Sequence, residues 1–295
     1  LMLADLFLEP GSTLASTSQR AAGGSSQETT SESYEDRWPE RVGDLPVVIL
    51  VDRYTASGAE ILAGALQDQD RALIVGERTF GKGVVQTVMR LPHGRRLRFT
   101  TGEWQTPLGR SLHRPRDMQM RPLEEDQDSF PRVTTAGGRT LVDGGGIFPD
   151  LEVEADTLTT VEQELIRTAN EAEYPLGLRL AEFSFEEARR LREAGAEPTL
   201  DEEALDSFVE SLLDEGLAAE VVASPDVRDY LAWRARVGIA QRMNDVGKEA
   251  YFRMERDRVL AEAVRLLGEA TSQGELYEAA QEREPTAHQG NGAER

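Results

Sequence analysis

The sequence predicts an α/β core of strand–helix–strand units plus a β-hairpin, followed by an α-helical C-terminal region. Two short β-branched runs, residues 47–51 and 71–76, flank a segment with helical apolar spacing. Residues 91–107 alternate polar and apolar behind Pro92-His93-Gly94, the pattern of a hairpin. From 162 to 284 the apolar residues recur at helical intervals among many charges.

The stretch 46–86 organises the rest. Val47-Val48-Ile49-Leu50-Val51 is a continuous apolar run, which predicts a strand buried on both faces. Asp52-Arg53-Tyr54-Thr55 ends it, and Ile61, Leu62, Ala65 and Leu66 then fall on one face of a helix. Ser57 is thereby placed at that helix's N-terminus, where free amides and the positive dipole end favour a developing negative charge. Residues 71–76 form a second buried strand that delivers the turn Thr79-Phe80-Gly81-Lys82-Gly83, and 84–89 continue as strand. Residues 106–111 make a turn. Residues 114–140 read as an irregular, charged insertion, and Gly144-Gly145-Gly146 leads into a short strand at Leu151-Glu152-Val153.

Upstream, an apolar helical pattern over 1–8 stops at Pro10-Gly11, and the Ser/Thr/Gly-rich stretch 16–45 reads as a polar loop. Downstream, helices are predicted over 161–171, 185–194, 200–215, 225–244 and 246–267. Thr199 with Glu202 has the form of a capping box, and Ser224-Pro225 opens another helix. Leu205, Phe208, Val209, Leu212 and Leu213 form an amphipathic stripe, and 285–295 read as a disordered tail. The expected partition is 1–15, 16–45, 46–155, 156–284 and 285–295.

At 295 residues the chain suits one large domain or two smaller ones. Its net charge of −21 argues against tracking a nucleic-acid backbone, which needs a basic patch. The absence of cysteine excludes disulfides and thiolate chemistry. His93, His113 and His288 are scattered without metal-ligand spacing, so neither metal nor cofactor is expected. No apolar run reaches the ~18–20 residues of a membrane-spanning helix.

A serine at a strand-to-helix turn and a lysine between two glycines suggest a nucleophilic pair. The hydroxyl needs a base to take its proton, and burial can leave a lysine neutral for that task. Adjacent parallel strands of a β-α-β unit end side by side, which is how two such turns could meet. Ser57 as a plain helix cap and Lys82 as a solvated turn residue are the structural alternatives. Gly76 to Gly81-Lys82 also fits the start of a phosphate-binding loop, but Gly83 and a β-branched strand follow where that loop needs Ser or Thr and a helix.

At these residues the sequence resembles the C-terminal processing peptidases, or tail-specific proteases, a family of Ser/Lys endopeptidases. The matching stretches are Thr55-Ala56-Ser57-Gly58-Ala59-Glu60-Ile61, Ala65-Leu66-Gln67-Asp68, Val75-Gly76-Glu77, and Thr79-Phe80-Gly81-Lys82-Gly83-Val84-Val85-Gln86. The resemblance is dense over 46–109, and Gly146-Ile147-Phe148-Pro149-Asp150 extends it. It implies an α/β protease core of ClpP/crotonase-like type, with Ser57 as nucleophile, Lys82 as general base and Gln86 orienting the pair. Asp68 is then a supporting acid and the Gly58 amide an oxyanion donor, with Gly standing where many members have Ser or Ala. Glu60 is expected to stabilise the first helical turn.

The resemblance further implies protein or peptide substrates held through their C-terminal segment, no nucleic acid, and an extracytoplasmic location. Ala4-Asp5-Leu6-Phe7-Leu8 matches the family's helix after a Gly-Gly strand end. The chain is therefore expected to be a fragment, with a signal, a PDZ domain and the second oxyanion amide upstream, and to be poorly active alone. The acidic helical region is by default a solvated scaffold, with homo-oligomer or adaptor contacts as its functional alternative. A catalytically inactive peptide-binding or scaffold homologue is the rival reading of the whole.

Overall fold

A computed structural model describes residues 2–20, 29–155 and 158–283. The chain divides into two compact units: one takes the described residues up to Ala155 and those from Glu262 onward, the other those up to Ala261 between them.

In the first unit a 3₁₀ turn at Ala4–Leu6 precedes β1 (Thr13–Arg20) and β2 (Thr29–Glu35). Then come β3 (Val48–Val51), α1 (Gly58–Asp68), β4 (Leu73–Gly76), β5 (Val84–Arg90) and β6 (Arg96–Gln105). Three short strands follow: β7 (Arg132–Thr134), β8 (Thr140–Val142) and β9 (Leu151–Glu152). Among the described residues these make an antiparallel sheet in the order β2-β1-β6-β5, a parallel sheet β3-β4-β9, and the β7-β8 hairpin. The strand–helix–strand core and the β5–β6 hairpin are as the sequence predicts.

Two local expectations change. Part of the stretch read as polar loop is β2, which pairs with β1 from Thr13↔Glu35 to Arg20↔Thr29. Its Thr, Ser and Tyr residues suit a solvated strand, and polarity alone does not separate such a strand from a loop. β3 is not buried on both faces: it lies at the edge of its sheet and leaves Leu50 41% exposed. All four residues of β4 are buried, as befits the middle strand. Val51, Ala63, Leu66, Ile74, Leu112 and Ile147 form the core around it. Gly76 is required where β4 ends: its φ is +130°, and an added Cβ would sit 1.9 Å from the Val51 carbonyl oxygen.

The second unit is helical, with α2 (Thr160–Glu171), α3 (Leu176–Ala194), α4 (Glu202–Asp214), α5 (Ala219–Val222), α6 (Pro225–Met243) and α7 (Val246–Met254). Leu165, Leu205, Phe208, Leu212, Leu217 and Leu231 are among its core residues. α3 starts nine residues before the expected 185, with Leu180 and Ser184 buried along its first half. Asp201, not Thr199, caps α4, because its carboxylate accepts from the Glu203 amide at 3.1 Å. The long helix expected over 246–267 breaks, and α8 (Arg258–Glu269) begins after Asp257, whose carboxylate accepts from the Leu260 amide at 2.9 Å.

The last described helix, α9 (Gln273–Gln281), belongs to the first unit. The Val47 amide donates to Gln273 Oε1 at 2.8 Å, and the Tyr277 hydroxyl donates to the Ala72 carbonyl at 3.2 Å. The tail expected over 285–295 lies outside the described residues.

Candidate active site

Ser57 sits between β3 and α1 with φ 58° and ψ −118°, a backbone state that a non-glycine residue adopts only at a cost of about 1–3 kcal/mol. The approach to it is fixed by Asp52, whose Oδ1 accepts from the amides of Tyr54 (3.0 Å) and Thr55 (2.7 Å) and from the Thr55 hydroxyl (2.9 Å). The Thr55 carbonyl in turn accepts from the Phe80 amide at 2.9 Å. The turn before α1 is thus stitched to the turn after β4.

Glu60, in the first turn of α1, makes the second stitch. Its side chain is wholly buried and uses both oxygens. Oε1 accepts from the Thr79 hydroxyl at 2.5 Å and the Gly81 amide at 2.6 Å. Oε2 accepts from the Ser57 amide and the Lys82 amide, each at 2.8 Å. Two nitrogens on one oxygen at that distance lie no more than 5.6 Å (twice 2.8 Å) apart. The structure therefore brings the Ser57 and Lys82 turns together, and Glu60 does more than cap its own helix. Sequence reading saw Glu60 as a first-turn acid but gave no hint of donors arriving from 79–82.

Further contacts hold the lysine turn from behind. Thr79, also buried, accepts from the Ile147 amide at 2.7 Å while donating to Glu60. Gly81 has φ +85°, and a Cβ there would meet Arg114 Cβ at 2.3 Å. The Arg114 amide donates to the Gly81 carbonyl at 3.0 Å. Arg116 donates from Nη2 to the Phe80 carbonyl at 2.5 Å and lies 3.6 Å over the Phe80 ring. These arginines belong to the insertion read as irregular, part of which is the β7–β8 hairpin. Motif reading missed both.

Ser57, Gly58, Lys82 and Gln86 are exposed. Burial, the condition named for an activated lysine, is thus not supplied by the described residues around Lys82. Its ammonium makes no hydrogen bond or ion pair among the described residues. Gln86 stands on β5 opposite Thr100, beside a bulge at which Thr101 is the extra residue. A strand, not a helix, follows Lys82, which removes the phosphate-loop geometry.

Asp68 is elsewhere. Fully buried at the end of α1, it accepts from Arg110 Nη2 at 2.6 Å and Nε at 2.9 Å and from the Leu108 amide at 2.8 Å. It anchors the 106–110 turn. His93 sits at the hairpin tip with φ 62°, and the buried Nδ1 of His113 has no hydrogen-bond partner. Among the described residues no group of three or more His, Asp or Glu is placed to hold a metal ion, and no helix is long and apolar enough to cross a membrane.

Residues 1–120 match the family model described as peptidase family S41. A carboxyl-terminal-processing protease of Synechocystis sp. (strain ATCC 27184 / PCC 6803 / Kazusa) is 42% identical over 96 residues, which are 32% of this chain and 22% of that protein. The chloroplastic C-terminal processing peptidase of Tetradesmus obliquus is 49% identical over 93 residues, 30% of this chain and 20% of that protein. The chain spans about a fifth of the length of these curated relatives. A solved photosystem II D1 C-terminal processing protease aligns over 52% of this chain and 30% of its own, at 29% identity and a TM-score of 0.34.

Proposed function

We propose that this chain, whose residues 1–120 match the peptidase family S41 model, is part of a serine endopeptidase in which Ser57 is the nucleophile and Lys82 the general base. One observation carries the reading: a single oxygen of Glu60 receives the amides of both residues, so the two turns are one structure. Ser57 Oγ attacks a peptide carbonyl while neutral Lys82 accepts its proton. The Gly58 amide, first in α1, faces the developing oxyanion with the helix dipole behind it. The amine product leaves with a proton from Lys82, and water activated by the same amine releases the acyl group from Ser57. Gln86 orients the lysine from β5. Cleavage near substrate C-termini, a ClpP/crotonase-like core and an extracytoplasmic setting belong to the same proposal, supported by the matched relatives' names and by the resemblance.

A second reading, a peptide-binding or scaffold homologue without chemistry, is favoured by one feature. Lys82 is exposed, and its side chain makes no hydrogen bond to Ser57 among the described residues. Catalytic hydrogen bonds that form only with substrate bound also leave such a gap. Labelling of Ser57 in the full-length protein by a fluorophosphonate separates the two. The peptidase labels at Ser57, faster as pH rises, and Lys82→Ala slows labelling by orders of magnitude. A scaffold does not label.

A further inference from the structure

Beyond the Lys82 turn the chain carries a local charge opposite to its overall one. β5 and β6 run on as a hairpin in which every residue from Gln86 to Thr100 is exposed. β1 reaches only the end of β6, pairing with 102–105, and β5 is last in its sheet's order. The outer edge of β5 therefore presents main-chain groups with no strand beside them among the described residues.

The register sorts the side chains. Met89 lies opposite Leu97 and Thr87 opposite Phe99, while Val88 lies opposite Arg98 and Arg90 opposite Arg96. Opposed residues share a face and successive residues alternate. One face thus carries Met89, Leu97 and Phe99, which are 49%, 48% and 38% exposed. The other carries Arg90, Arg96 and Arg98. None of these three arginines forms an ion pair among the described residues, in a chain with 54 acidic and 33 basic side chains. Arg90 directly facing Arg96 is a like-charge cross-strand pair, which destabilises a hairpin. The arrangement costs stability in the free protein, a cost that an anionic partner would offset.

We propose that the free edge of β5 takes up an extended polypeptide as an added strand, selecting one whose acidic residues alternate with apolar ones. Main-chain pairing fixes the strand at the edge. Its alternation then sets acidic side chains toward Arg90, Arg96 and Arg98 and apolar ones toward Met89, Leu97 and Phe99. The identity of that polypeptide as substrate rests on the peptidase reading, since the hairpin starts two residues after Lys82; the strand site itself does not.

The test is fluorescence anisotropy on the full chain carrying Ser57→Ala, with three fluorescein-labelled hexapeptides: alternating Glu-Val, alternating Lys-Val, and a block of three Glu followed by three Val. The expected result is that alternating Glu-Val binds about tenfold tighter or more than the other two, and more weakly in about 0.5 M salt. The double variant Arg96→Glu with Arg98→Glu loses that preference. Arg96→Glu turns the like-charge pair with Arg90 into an opposite one, so the hairpin stays folded, as circular dichroism checks. Equal binding of the three peptides, or unchanged binding by the double variant, overturns the proposal. So does preference for a single-stranded oligonucleotide or for phosphatidylserine vesicles over the Glu-Val peptide. Failure of the parent to bind any peptide while the variant aggregates would leave the arginines as guards against edge pairing, and would also overturn it. Fluorophosphonate labelling of unsubstituted Ser57 is read separately. Peptide binding without labelling sinks the peptidase reading alone, and labelling without peptide preference sinks the strand site alone.

Discussion

At Glu60 two carboxylate oxygens accept four donors, from Ser57 on one side and from Thr79, Gly81 and Lys82 on the other. A glutamine can offer only one acceptor oxygen, and its amide nitrogen would face two donors. Glu60→Gln is therefore expected to cost about 1–3 kcal/mol in urea unfolding and to slow Ser57 labelling at least about tenfold. Unfolding and labelling that both match the parent would show that the two turns hold without this carboxylate. The sequence made Ser57, Lys82 and Glu60 visible through their positions at turns and at a helix start. It could not show that one side chain joins them. Three of the four donors to Glu60 lie 19 to 22 residues beyond it, a distance that helical periodicity does not register.

Among the elements, α1 does two jobs from its two ends. Its start holds the serine turn, and its last residue, Asp68, pairs with Arg110, the two side chains being 0% and 2% exposed. Removing one partner strands the other in the core, so Arg110→Met should lose about 3–5 kcal/mol in denaturant unfolding. A loss under about 1 kcal/mol would mean that water reaches the pair. The insertion after β6 is tied down at its base by Arg114 and Arg116, and at its tip by Asp117, which accepts from the amides of Gln119 and Arg121, each at 2.9 Å. The Arg121 amide foremost, with its guanidinium and the Gln119 amide, holds the Asp117 carboxyl below its ordinary range. A depressed folded value means that the tip's stabilisation is complete above about pH 4 and is lost as pH falls through the folded value. Protection of the Gln119 and Arg121 amides, taken relative to their intrinsic exchange rates, should fall over that acid range, and pH-independent protection would contradict it. Periodicity located β3, β4, β5 and β6, whose apolar or alternating runs are what a sheet requires. It missed β2 because that strand is polar. It misplaced the cap of α4, where several acidic or hydroxyl residues compete within a few positions, and it ran one helix through the break before α8.

For the molecule as a whole, composition located the acidic helical region but not what its last helix does. α9 returns to the first unit, where Gln273 pairs with Val47 across 226 residues and Tyr277 with Ala72 across 205. Arg139 also lies 4.0 Å over the Tyr277 ring. Tyr277→Phe keeps the ring and removes the hydroxyl, so it should cost about 1 kcal/mol in urea unfolding; no change would show the Ala72 carbonyl satisfied by water. Long-range closure of this kind leaves no local pattern to read. The whole-chain charge of −21 likewise concealed a hairpin on which Arg90, Arg96 and Arg98 share a face without an ion pair among the described residues, because a sum carries no positions. The account turns most on a proton passing between two exposed side chains on turns that Glu60 joins. Its most direct test is the rate of fluorophosphonate labelling at Ser57 in the full-length protein, with and without Lys82→Ala, the site located by peptide mass spectrometry. The account predicts modification at Ser57 that Lys82→Ala reduces by orders of magnitude. Equal labelling of both proteins, or none at Ser57 in either, would contradict it.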